Sequence, residues 1–426
     1  MKVCVIGTGY VGLTTGTVLA DYGHDVYCID KDQHKLSLLT KGKIPIYEPG
    51  LQEMVNHNKV EGRLHFSNDL KQSVNDCSVI VITVGTPPNE DGSPNLTFFQ
   101  EVINDLSRYI TSYKTIIVKS TVPPGTNEWV EQMLLEKGIQ PQLFDIVSNP
   151  EFLREGSAVH DMLYPDKIVI GIKRPEPIKI LQTLYYNVNA PFIITSLTGA
   201  ELIKYASNAF LATKISFINE IARICDAYQV DIKDISLGLG TDPRIGSLFL
   251  NAGLGYGGSC FPKDLQALQH AALKKKIVPE ILMAVQQVND TQIELYFEKL
   301  INELTTLNNK KITVWGLAFK PETDDTRFSR SLRLIDKLVS AEANVHAYDP
   351  IVQLNNPSIQ CHKNIYDSII GSEALIIATE WSEFKNIDWK KVKNLMKGNL
   401  VIDGRNFLEP QALKKFNIKY IGVARP

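Results

Sequence analysis

The stretch MKVCVIGTGYVGLTTGTVLADYGHDVYCID, residues 1–30, carries the pattern that decides the fold. Its apolar run KVCVIG predicts a buried strand, and the run from Tyr10 onward predicts a helix. A second apolar run, DVYCID, predicts another strand that ends at Asp30. Between the first strand and the helix, Gly7, Gly9 and Gly12 form the pattern G-x-G-x-x-G. A strand, a glycine turn, a helix and a second strand with a terminal acid are the context of a dinucleotide-binding site.

The residues of this glycine turn have separate physical roles. Gly7 allows the tight turn, and Gly9 lets the backbone approach a pyrophosphate at the helix N-terminus. Gly12 permits close packing of the helix on the sheet. Tyr10 and Val11 lie between the last two glycines, and we assign them to the same site.

Asp30 indicates which dinucleotide is bound. Its carboxylate can accept hydrogen bonds from the adenosine ribose, and its charge would repel a 2′-phosphate. The sequence therefore favours NAD over NADP, while FAD, which uses the same glycine pattern, is an alternative. Lys35, shortly after the second strand, is also assigned to the cofactor.

Further apolar runs continue this alternation to about residue 190. SVIVITVG, TIIVKST and FDIVSNP predict strands, and alternating strands and helices indicate a parallel, doubly wound sheet. Ligands bind at the carboxyl ends of such strands, where Thr86 and Thr121 lie. Because Thr-Pro-Pro can also simply end a strand, each threonine taken alone is open to both interpretations.

The rest of the chain contains two further patterns. From Leu197 to about Glu303 the pattern is helical, because apolar residues recur three or four apart: residues 198–230 predict one long helix, and DLQALQHAALKKK and PEILMAVQQVNDTQIELYFEKLINEL predict further helices of a helical middle domain. The strand and helix alternation then returns, but its first turn has only Gly316, so we do not expect it to hold a dinucleotide in the same way. We predict an α/β fold with two Rossmann-like, doubly wound domains joined by a long-helix central domain: residues 1–196, 197–303 and 304–426.

Composition argues against several classes of protein. A formal net charge of −2 over 426 residues gives no reason to expect nucleic-acid binding, and no apolar stretch is long enough to span a membrane. The six cysteines are scattered without a C-x-x-C pair, so neither a zinc site nor a disulfide framework is expected. We expect a cytoplasmic protein with reduced thiols.

One cysteine has unusual neighbours. The stretch GGSCFPKD, residues 257–264, places Cys260 on a glycine-rich turn. Glycines can leave the sulfur exposed, Lys263 can stabilise a thiolate, and Asp264 can act as a base or hold a water. Residue types alone fit a buried cysteine in a helix-capping loop equally well. Together with an NAD site, the cysteine indicates aldehyde oxidation, in which a thiolate adds to the carbonyl and the resulting thioester is hydrolysed.

The chain resembles the UDP-glucose 6-dehydrogenases of the nucleotide-sugar dehydrogenase family. The resemblance covers essentially the whole length and is carried by GTGYVGL, VGTPP, KSTVPPGT, NPEFLREG, IKYASNAFLATKISFINE, DPRIG, FLNAGLGYGGSCFPKD, AFKPETDDTR and DGRN. It implies an NAD-dependent, four-electron oxidation of UDP-glucose at C6 to UDP-glucuronate, through a thiohemiacetal and a thioester on Cys260.

Other functions stay open at this point. GDP-mannose dehydrogenases share the core GGSC-x-PKD, so a dehydrogenase of another nucleotide sugar, such as GDP-mannose or a UDP-N-acetylhexosamine, is the alternative. A catalytically silent NAD-sensing or scaffold protein is a third hypothesis. The presence of Cys260, Lys204 and Asp264 together argues against silence.

The resemblance also implies residue roles. Cys260 is the nucleophile, Lys204 stabilises an oxyanion and Asn208, four residues further along the same helix, holds the sugar. Asp264 takes part in proton transfer with a water and Thr121, and Glu151 in acid–base work or water positioning. The remaining cofactor residues are Thr86, Thr121, Glu155, Lys263 and Arg327. The substrate residues are Glu151, Phe152, Leu153, Glu155, Lys204, Asn208, Arg244, Phe249, Leu250, Asn251, Ala252, Gly253, Gly257, Phe261, Phe319, Lys320 and Arg405.

A homodimer is expected as well. The long helix presents an apolar stripe suited to pairing with its copy around a two-fold axis. The resemblance implies that Arg244 reaches the substrate of the neighbouring subunit, and the alternative is an ordinary surface or intrachain arginine.

Overall fold

The computed structural model describes all residues from 1 to 426. Its contacts divide the chain into two compact units. Unit 1 comprises Met1–Ser207 and Gln266–Lys275, and unit 2 comprises Asn208–Leu265 and Lys276–Pro426. Each unit contains one sheet. The three-domain boundaries expected from the sequence stay a prediction.

Unit 1 is built on an eight-stranded sheet. Its strands are β1 Lys2–Ile6, β2 Asp25–Ile29, β3 Leu64–Ser67, β4 Val79–Ile82, β5 Lys114–Val118, β6 Phe144–Ser148, β7 Ile168–Gly171 and β8 Phe192–Thr195. The spatial order is β3-β2-β1-β4-β5-β6-β7-β8, and only the β6–β7 pair is antiparallel. The first six strands thus have the doubly wound order that places ligands at strand carboxyl ends.

The helices of unit 1 begin where the sequence supplies caps or amphipathic runs. Asp32 accepts hydrogen bonds from the first amides of α2, and Asp69 does the same for α4. Most are amphipathic and bury one face against the sheet. The helices are α1 Tyr10–Asp21, α2 Gln33–Thr40, α3 Leu51–Val60, α4 Leu70–Asp76, α5 Thr97–Tyr109, α6 Thr126–Glu136, α7 Ala158–Leu163 and α8 Pro177–Leu184, with a 3-10 turn at Pro141–Leu143.

Four helices follow the first sheet, and they confirm the helical pattern of the middle region. They are α9 Leu197–Tyr228, α10 Ile232–Gly240, α11 Phe261–Lys274 and α12 Glu280–Leu304. The long helix predicted from residue 197 onward is α9, with 32 residues. Both α9 and α11 begin in one unit and end in the other. None of the helices has the combination of length and apolar character needed to span a bilayer.

Unit 2 contains a six-stranded parallel sheet. Its strands are β9 Lys311–Trp315, β10 Asn344–Tyr348, β11 Ile359–His362, β12 Ala374–Ile377, β13 Leu400–Asp403 and β14 Lys419–Ile421. Its order, β11-β10-β9-β12-β13-β14, repeats that of the first six strands of unit 1, so the predicted second Rossmann-like half is confirmed. Its helices are α13 Arg330–Ser340, α14 Ile365–Ile369, α15 Ser382–Lys385, α16 Trp389–Leu395 and α17 Pro410–Lys414.

Candidate active site

The glycine turn of unit 1 has no room for side chains at two of its three glycines. Gly7 has a φ of +100°, a conformation that favours glycine. A Cβ on Gly12 would lie 1.9 Å from the carbonyl oxygen of Gly7 and 2.4 Å from Thr83 Oγ1. Gly9 is the N-cap of α1 and faces open space. The turn therefore fits a phosphate at the N-terminus of α1.

Asp30 is held in place at the end of β2. Its Oδ2 accepts hydrogen bonds from the N–H and the hydroxyl of Thr8, at 2.8 and 2.6 Å, and its Oδ1 accepts from the N–H of Asp32. Burial alone would raise the pKa of the Asp30 carboxyl, but these hydrogen bonds and the nearby Lys35 hold that pKa below its usual value. Asp30 is therefore ionised at neutral pH, as a ribose acceptor should be.

A cleft of about 1080 Å³ lies along this strand edge. The assigned residues Gly7, Gly9, Asp30 and Lys35 line it, together with Phe98 and other side chains of unit 1. Its volume and its position over the helix N-terminus fit an extended dinucleotide. Tyr10 and Val11 occupy the first turn of α1, and the Tyr10 hydroxyl donates to Glu48 at 2.6 Å.

Glu151 and Lys204, both assigned to catalysis, form a buried ion pair. The distance from Lys204 Nζ to Glu151 Oε1 is 2.9 Å, and both side chains are almost inaccessible. Glu151 follows β6, Lys204 lies on the second turn of α9, and the ring of Phe152 lies 5.4 Å from the Lys204 ammonium. The N–H of Leu153 donates to the second Glu151 oxygen at 2.6 Å.

A second buried lysine, Lys119, belongs to the same cluster and was not predicted. Its ammonium lies 3.5 Å from both Asn149 Oδ1 and Tyr185 Oη. Burial lowers the pKa of Lys119 to about 8, with Lys204 adding to the effect and Glu151 opposing it. Burial favours the neutral form of Glu151, but Lys204, the Leu153 amide and Lys119 outweigh it and keep the Glu151 pKa below its usual value.

The two threonines at strand ends are neighbours. Thr86 is buried, and its hydroxyl donates to the carbonyl oxygen of Thr121 at 2.8 Å. The loop after Thr121 is anchored by Glu201 of α9, whose carboxylate accepts from the N–H groups of Gly125 and Asn127 at 2.5 and 2.8 Å. The first turns of α9 thus hold two strand-end loops of unit 1, one through Glu201 and the other through the Lys204–Glu151 ion pair.

Cys260 is accessible in a way that most other cysteines are not. It is half-buried and immediately precedes α11, whereas Cys4, Cys28, Cys77 and Cys225 are buried. Its Sγ lies 3.5 Å from the hydroxyl oxygen of Ser259. This contrast removes the interpretation of Cys260 as a fully buried structural residue.

Three assigned residues of unit 2, Asn208, Lys263 and Asp264, form a hydrogen-bonded cluster. Asp264 is only 1% exposed and accepts hydrogen bonds from Asn208 Nδ2 and Lys263 Nζ, both at 2.6 Å. The N–H of Asp264 donates to the Cys260 carbonyl oxygen. Lys263 thus pairs with the Asp264 carboxylate. The sequence interpretation of Lys263 as a partner for the Cys260 thiolate did not include this contact.

Neighbouring residues of unit 2 leave no space for side chains at the glycines before Cys260. A Cβ on Gly257 would lie 2.4 Å from the carbonyl oxygen of Phe328, and one on Gly258 would lie 2.7 Å from the Phe319 ring. Gly257 was assigned to the substrate, but its closest neighbour and that of Gly258 are main chain and an aromatic ring of unit 2. Gly253 is also confined, because its Cβ would lie 2.8 Å from the carbonyl oxygen of Gly404.

A second cavity, of about 270 Å³, lies among residues assigned to the nucleotide. Leu250, Asn251, Ala252 and Arg405 line it, with Lys233 among the others. Arg405 is well ordered by hydrogen bonds to the carbonyl oxygens of residues 378, 255 and 319. A small cavity lined by one arginine in a fixed position fits part of a nucleoside diphosphate.

Further assigned residues lie in each of the two units. Phe249 has a φ of +64°, and its ring centre lies 6.3 Å from that of Phe261. Lys320 Nζ lies 5.8 Å from the centre of the Phe319 ring. In unit 1, Glu155 is buried in the loop after β6.

Two assigned arginines pair with their own neighbours. Arg327 Nε lies 2.9 Å from Asp325 Oδ1, and Arg244 Nη2 lies 2.6 Å from Asp242 Oδ2. The Arg244 side chain is 87% exposed. Its role toward a substrate is therefore not visible within one chain.

Three more polar residues were missed by the sequence reasoning: Lys119, Glu48 and Glu201. Lys119 lies within the quoted motif KSTVPPGT, directly after a buried strand, and that position was the available signal. Glu48 and Glu201 lie in a loop and on a helix face, where a carboxylate is usually solvated. Their partners are remote in sequence, so no local pattern could have identified them.

Comparisons with known proteins identify the family. Domain models of the UDP-glucose/GDP-mannose dehydrogenase family match the chain three times: its NAD binding domain at residues 1–189, its central domain at 198–291 and its UDP binding domain at 313–410. These matches indicate NAD as the cofactor and a UDP-sugar as the class of substrate.

Individual relatives match over the full length. YtcA of Bacillus subtilis (strain 168), whose name assigns it provisionally to the UDP-glucose 6-dehydrogenases, is 53% identical and matches over 100% of both chains. The UDP-glucose 6-dehydrogenase YwqF of the same strain is 40% identical over 100% of this chain and 98% of its own length. A UDP-glucose dehydrogenase structure from Pyrobaculum islandicum has a TM-score of 0.91 at 35% identity, over 99% of this chain and 97% of that one.

Proposed function

The chain belongs to the UDP-glucose/GDP-mannose dehydrogenase family, and we propose that it oxidises UDP-glucose at C6 to UDP-glucuronate with two molecules of NAD. The observation that carries this proposal is the accessible thiol of Cys260 next to the buried Asn208–Asp264–Lys263 cluster. An oxidation of an alcohol to a carboxylate needs a group that retains the aldehyde between two hydride transfers. A thiol can do so covalently.

The reaction balances as one UDP-glucose, two NAD⁺ and one water giving one UDP-glucuronate, two NADH and three protons. Bound NAD supplies the hydride acceptor for each oxidation. The Cys260 thiolate adds to the C6 aldehyde to form a thiohemiacetal, and loss of a second hydride leaves a thioester. Water then cleaves the carbon–sulfur bond and returns the thiol.

The charged side chains have roles that follow from their environments. The Lys204 ammonium, buried against Glu151, can stabilise the oxyanion of each tetrahedral species. Asn208 can hold the sugar hydroxyl, and Asp264 can accept a proton from the alcohol or from the hydrolytic water. Glu151 accepts a hydrogen bond from Lys204 and holds its ammonium group in place, and Thr121 can position the water.

The nucleotide part of the substrate is proposed to bind in unit 2. The cavity at Leu250–Ala252 and Arg405 lies within this unit, and residues 313–410 match the family's UDP binding domain. Phe249, Gly253, Phe261, Phe319 and Lys320 complete the proposed set. Glu155, Lys263 and Arg327 keep their proposed contacts with the cofactor.

The stoichiometry of NADH tests this function. Purified protein is incubated with limiting UDP-glucose and excess NAD, and absorbance at the NADH band is compared with the amount of sugar nucleotide consumed. We expect two NADH per UDP-glucose and UDP-glucuronate as product. One NADH per UDP-glucose would contradict the four-electron reaction.

A second candidate substrate class is supported by one comparison. A UDP-D-ManNAc dehydrogenase structure from Pyrococcus horikoshii matches with a TM-score of 0.90 at 26% identity, over 100% of this chain and 99% of that one. A parallel assay with UDP-glucose, UDP-N-acetylmannosamine, UDP-N-acetylglucosamine, UDP-galactose and GDP-mannose, each with NAD and NADP, separates the candidates. UDP-glucose with NAD should give the highest kcat/KM.

We also propose a homodimer through α9. Phe210, Phe217 and Ile224 are exposed and seven residues apart, so they form one apolar stripe on the helix. Arg244 would then act on the partner's substrate, in keeping with its exposure. Sedimentation at assay concentration should show a dimer, and Phe217→Asp should dissociate it. An active monomer would contradict a role for Arg244 across the interface.

A further inference from the structure

The loop after β6, residues 149–157, is held at both ends by buried side chains of unit 1. Lys204 bonds to Glu151 near its start. At its other end, the Glu48 carboxylate accepts hydrogen bonds from the main-chain N–H groups of Gly156 and Ala158, both at 2.7 Å. Glu48 is 4% exposed and comes from the segment between α2 and α3. The second anchor is therefore a single carboxylate distant in sequence.

The same carboxylate reaches the dinucleotide turn. Tyr10 Oη donates to Glu48 Oε2 at 2.6 Å and accepts from the N–H of Gly156 at 3.2 Å. The carbonyl oxygen of Tyr47, 2.7 Å away, competes for the hydroxyl proton. Tyr10 opens α1 directly after the glycine turn. Glu48 and Tyr10 thus join that turn to the loop after β6.

We propose that Glu48 is a positioning residue that couples occupation of the dinucleotide site to the placement of the loop after β6. A phosphate at the N-terminus of α1 bonds to the main chain there and restricts the Tyr10 backbone. Tyr10 holds Glu48, and Glu48 holds the amides of residues 156 and 158. Binding at the turn therefore favours the loop arrangement in which all these hydrogen bonds are made.

The chemistry requires a carboxylate at this position. Ala158 donates to Glu48 Oε1, while Gly156 and Tyr10 donate to Oε2, so both oxygens must accept. A glutamine has one accepting oxygen, and its NH₂ group would face a donor on the other side. Glu48→Gln therefore breaks at least one bond of the bridge while keeping the size of the side chain.

The inference rests on the proposed function only in treating Glu151 and its loop as part of the substrate site. A purely structural role for Glu48 would loosen the loop to the same extent with and without cofactor. If Glu48 couples the two sites, its substitution lowers the part of the loop's protection from exchange that depends on NAD. These two outcomes can be measured without any sugar nucleotide.

Hydrogen–deuterium exchange tests the coupling in the full-length protein. Exchange of the peptide that contains residues 151–158 is measured with and without saturating NAD. In the wild type we expect NAD to slow this exchange about tenfold or more, which corresponds to one charge-assisted hydrogen bond. In Glu48→Gln and in Tyr10→Phe, the NAD effect on this peptide should be smaller than in the wild type by about threefold or more, with the remainder due to the proposed direct contact of Glu155 with NAD, while the glycine-turn peptide stays protected by NAD.

A matched control and a second variant make the result decisive. Tyr186→Phe also removes a tyrosine hydroxyl that donates to a main-chain carbonyl, at 2.7 Å, and should keep the NAD effect. If Glu48→Gln does not fold, Tyr10→Phe alone carries the test, because both amide bonds to Glu48 remain in it. Equal NAD protection of the loop in wild type and Tyr10→Phe, or no NAD effect in the wild type, overturns the proposal. Neither result depends on whether UDP-glucose is the substrate.

Discussion

The first turns of the two sheets share a topology but differ in what they leave accessible. Gly7 after β1 and Gly316 after β9 both have a left-handed φ, of +100° and +95°. In unit 1 the helix follows at once, with Tyr10 as its first residue. In unit 2 the next helix, α13, begins only at Arg330. Only the first turn therefore presents a helix N-terminus to a phosphate.

The acids after the second strands show the same difference. Asp30 keeps 13% of its side chain exposed at the cofactor cleft. Asp349 is 2% exposed and accepts from four main-chain N–H groups, those of residues 317, 318, 351 and 352. Both acids accept hydrogen bonds from the turns of their own unit, but only Asp30 also lines the cofactor cleft. Strand order alone does not make a dinucleotide site.

The largest effect is expected for the rate of UDP-glucuronate formation when Cys260, the proposed nucleophile in unit 2, is replaced. Cys260→Ser keeps the size of the side chain but loses the thiolate, so no hydrolysable thioester can form. UDP-glucuronate formation should fall by about 10³-fold or more, as for other nucleophile substitutions, while NAD binding in unit 1 is retained. The assay is product analysis with a parallel NAD titration.

Mass spectrometry of the quenched reaction extends this test. A sugar-nucleotide adduct on the Cys260 peptide should accumulate when hydrolysis is slowed in Asp264→Asn. Wild-type rates of UDP-glucuronate formation in Cys260→Ser would show that the thiol is structural.

The next prediction compares the same change, glycine to alanine, in the first turns of the two sheets. Gly12→Ala places a Cβ 1.9 Å from the Gly7 carbonyl oxygen and must distort the NAD turn. NAD affinity should fall about 100-fold, since overpacking of this kind costs roughly 1–3 kcal/mol. Gly316→Ala, whose Cβ would lie 2.4 Å from Thr379 Cβ, should lower the thermal midpoint without changing NAD affinity. Loss of NAD binding in Gly316→Ala would break the comparison.

A smaller effect distinguishes the two acids. Asp30→Ala should weaken NAD binding by roughly 1.5–3 kcal/mol, the cost of losing a hydrogen-bonded charge. It should also reduce the difference in binding affinity between NAD and NADP. Asp349→Ala should leave the cofactor ratio unchanged and instead lower stability, because four amides lose their acceptor. Titration of both cofactors against both variants measures this. Unchanged NAD affinity in Asp30→Ala would remove the ribose assignment.

The smallest effect is a pH dependence of stability in unit 1. Burial raises the pKa of Glu201 from 4.5 to about 7, against the opposing N–H donors of Asn127 and Gly125. The folded protein then holds this proton more tightly than the unfolded chain, so the contribution is complete below pH 4.5 and is lost as the pH rises to about 7. Urea midpoints at pH 5 and pH 8 should differ less in Glu201→Gln than in wild type. An equal difference in both would contradict the shift.

Most of the architecture could be read from local patterns. Apolar runs with clear ends predicted β1, β2, β4, β5 and β6 and the length of α9, because these elements are buried with a regular period. The same reasoning missed β3, β7 and β8. In β8, Phe192–Thr195, the two central residues are exposed, and in β3 only Leu64 is buried. Only β3 lacks an apolar signal that would distinguish it from a loop, because β7, IVIG, is fully buried and β8, FIIT, is apolar in sequence. The sequence reasoning overlooked the last two runs although their signal was present.

The glycine turn, the acid at the end of β2 and the unusual surroundings of Cys260 could be recognised from short stretches of sequence, because each depends on backbone conformation or on near neighbours. The partners of the buried charges became known only from the folded chain: Lys204 with Glu151, Glu48 with Gly156, and Asp349 with the amides of residues 317 and 351. The first two of these pairs lie 53 and 108 residues apart. A buried charge takes whichever partner the folded elements bring to it, and no local period records that choice.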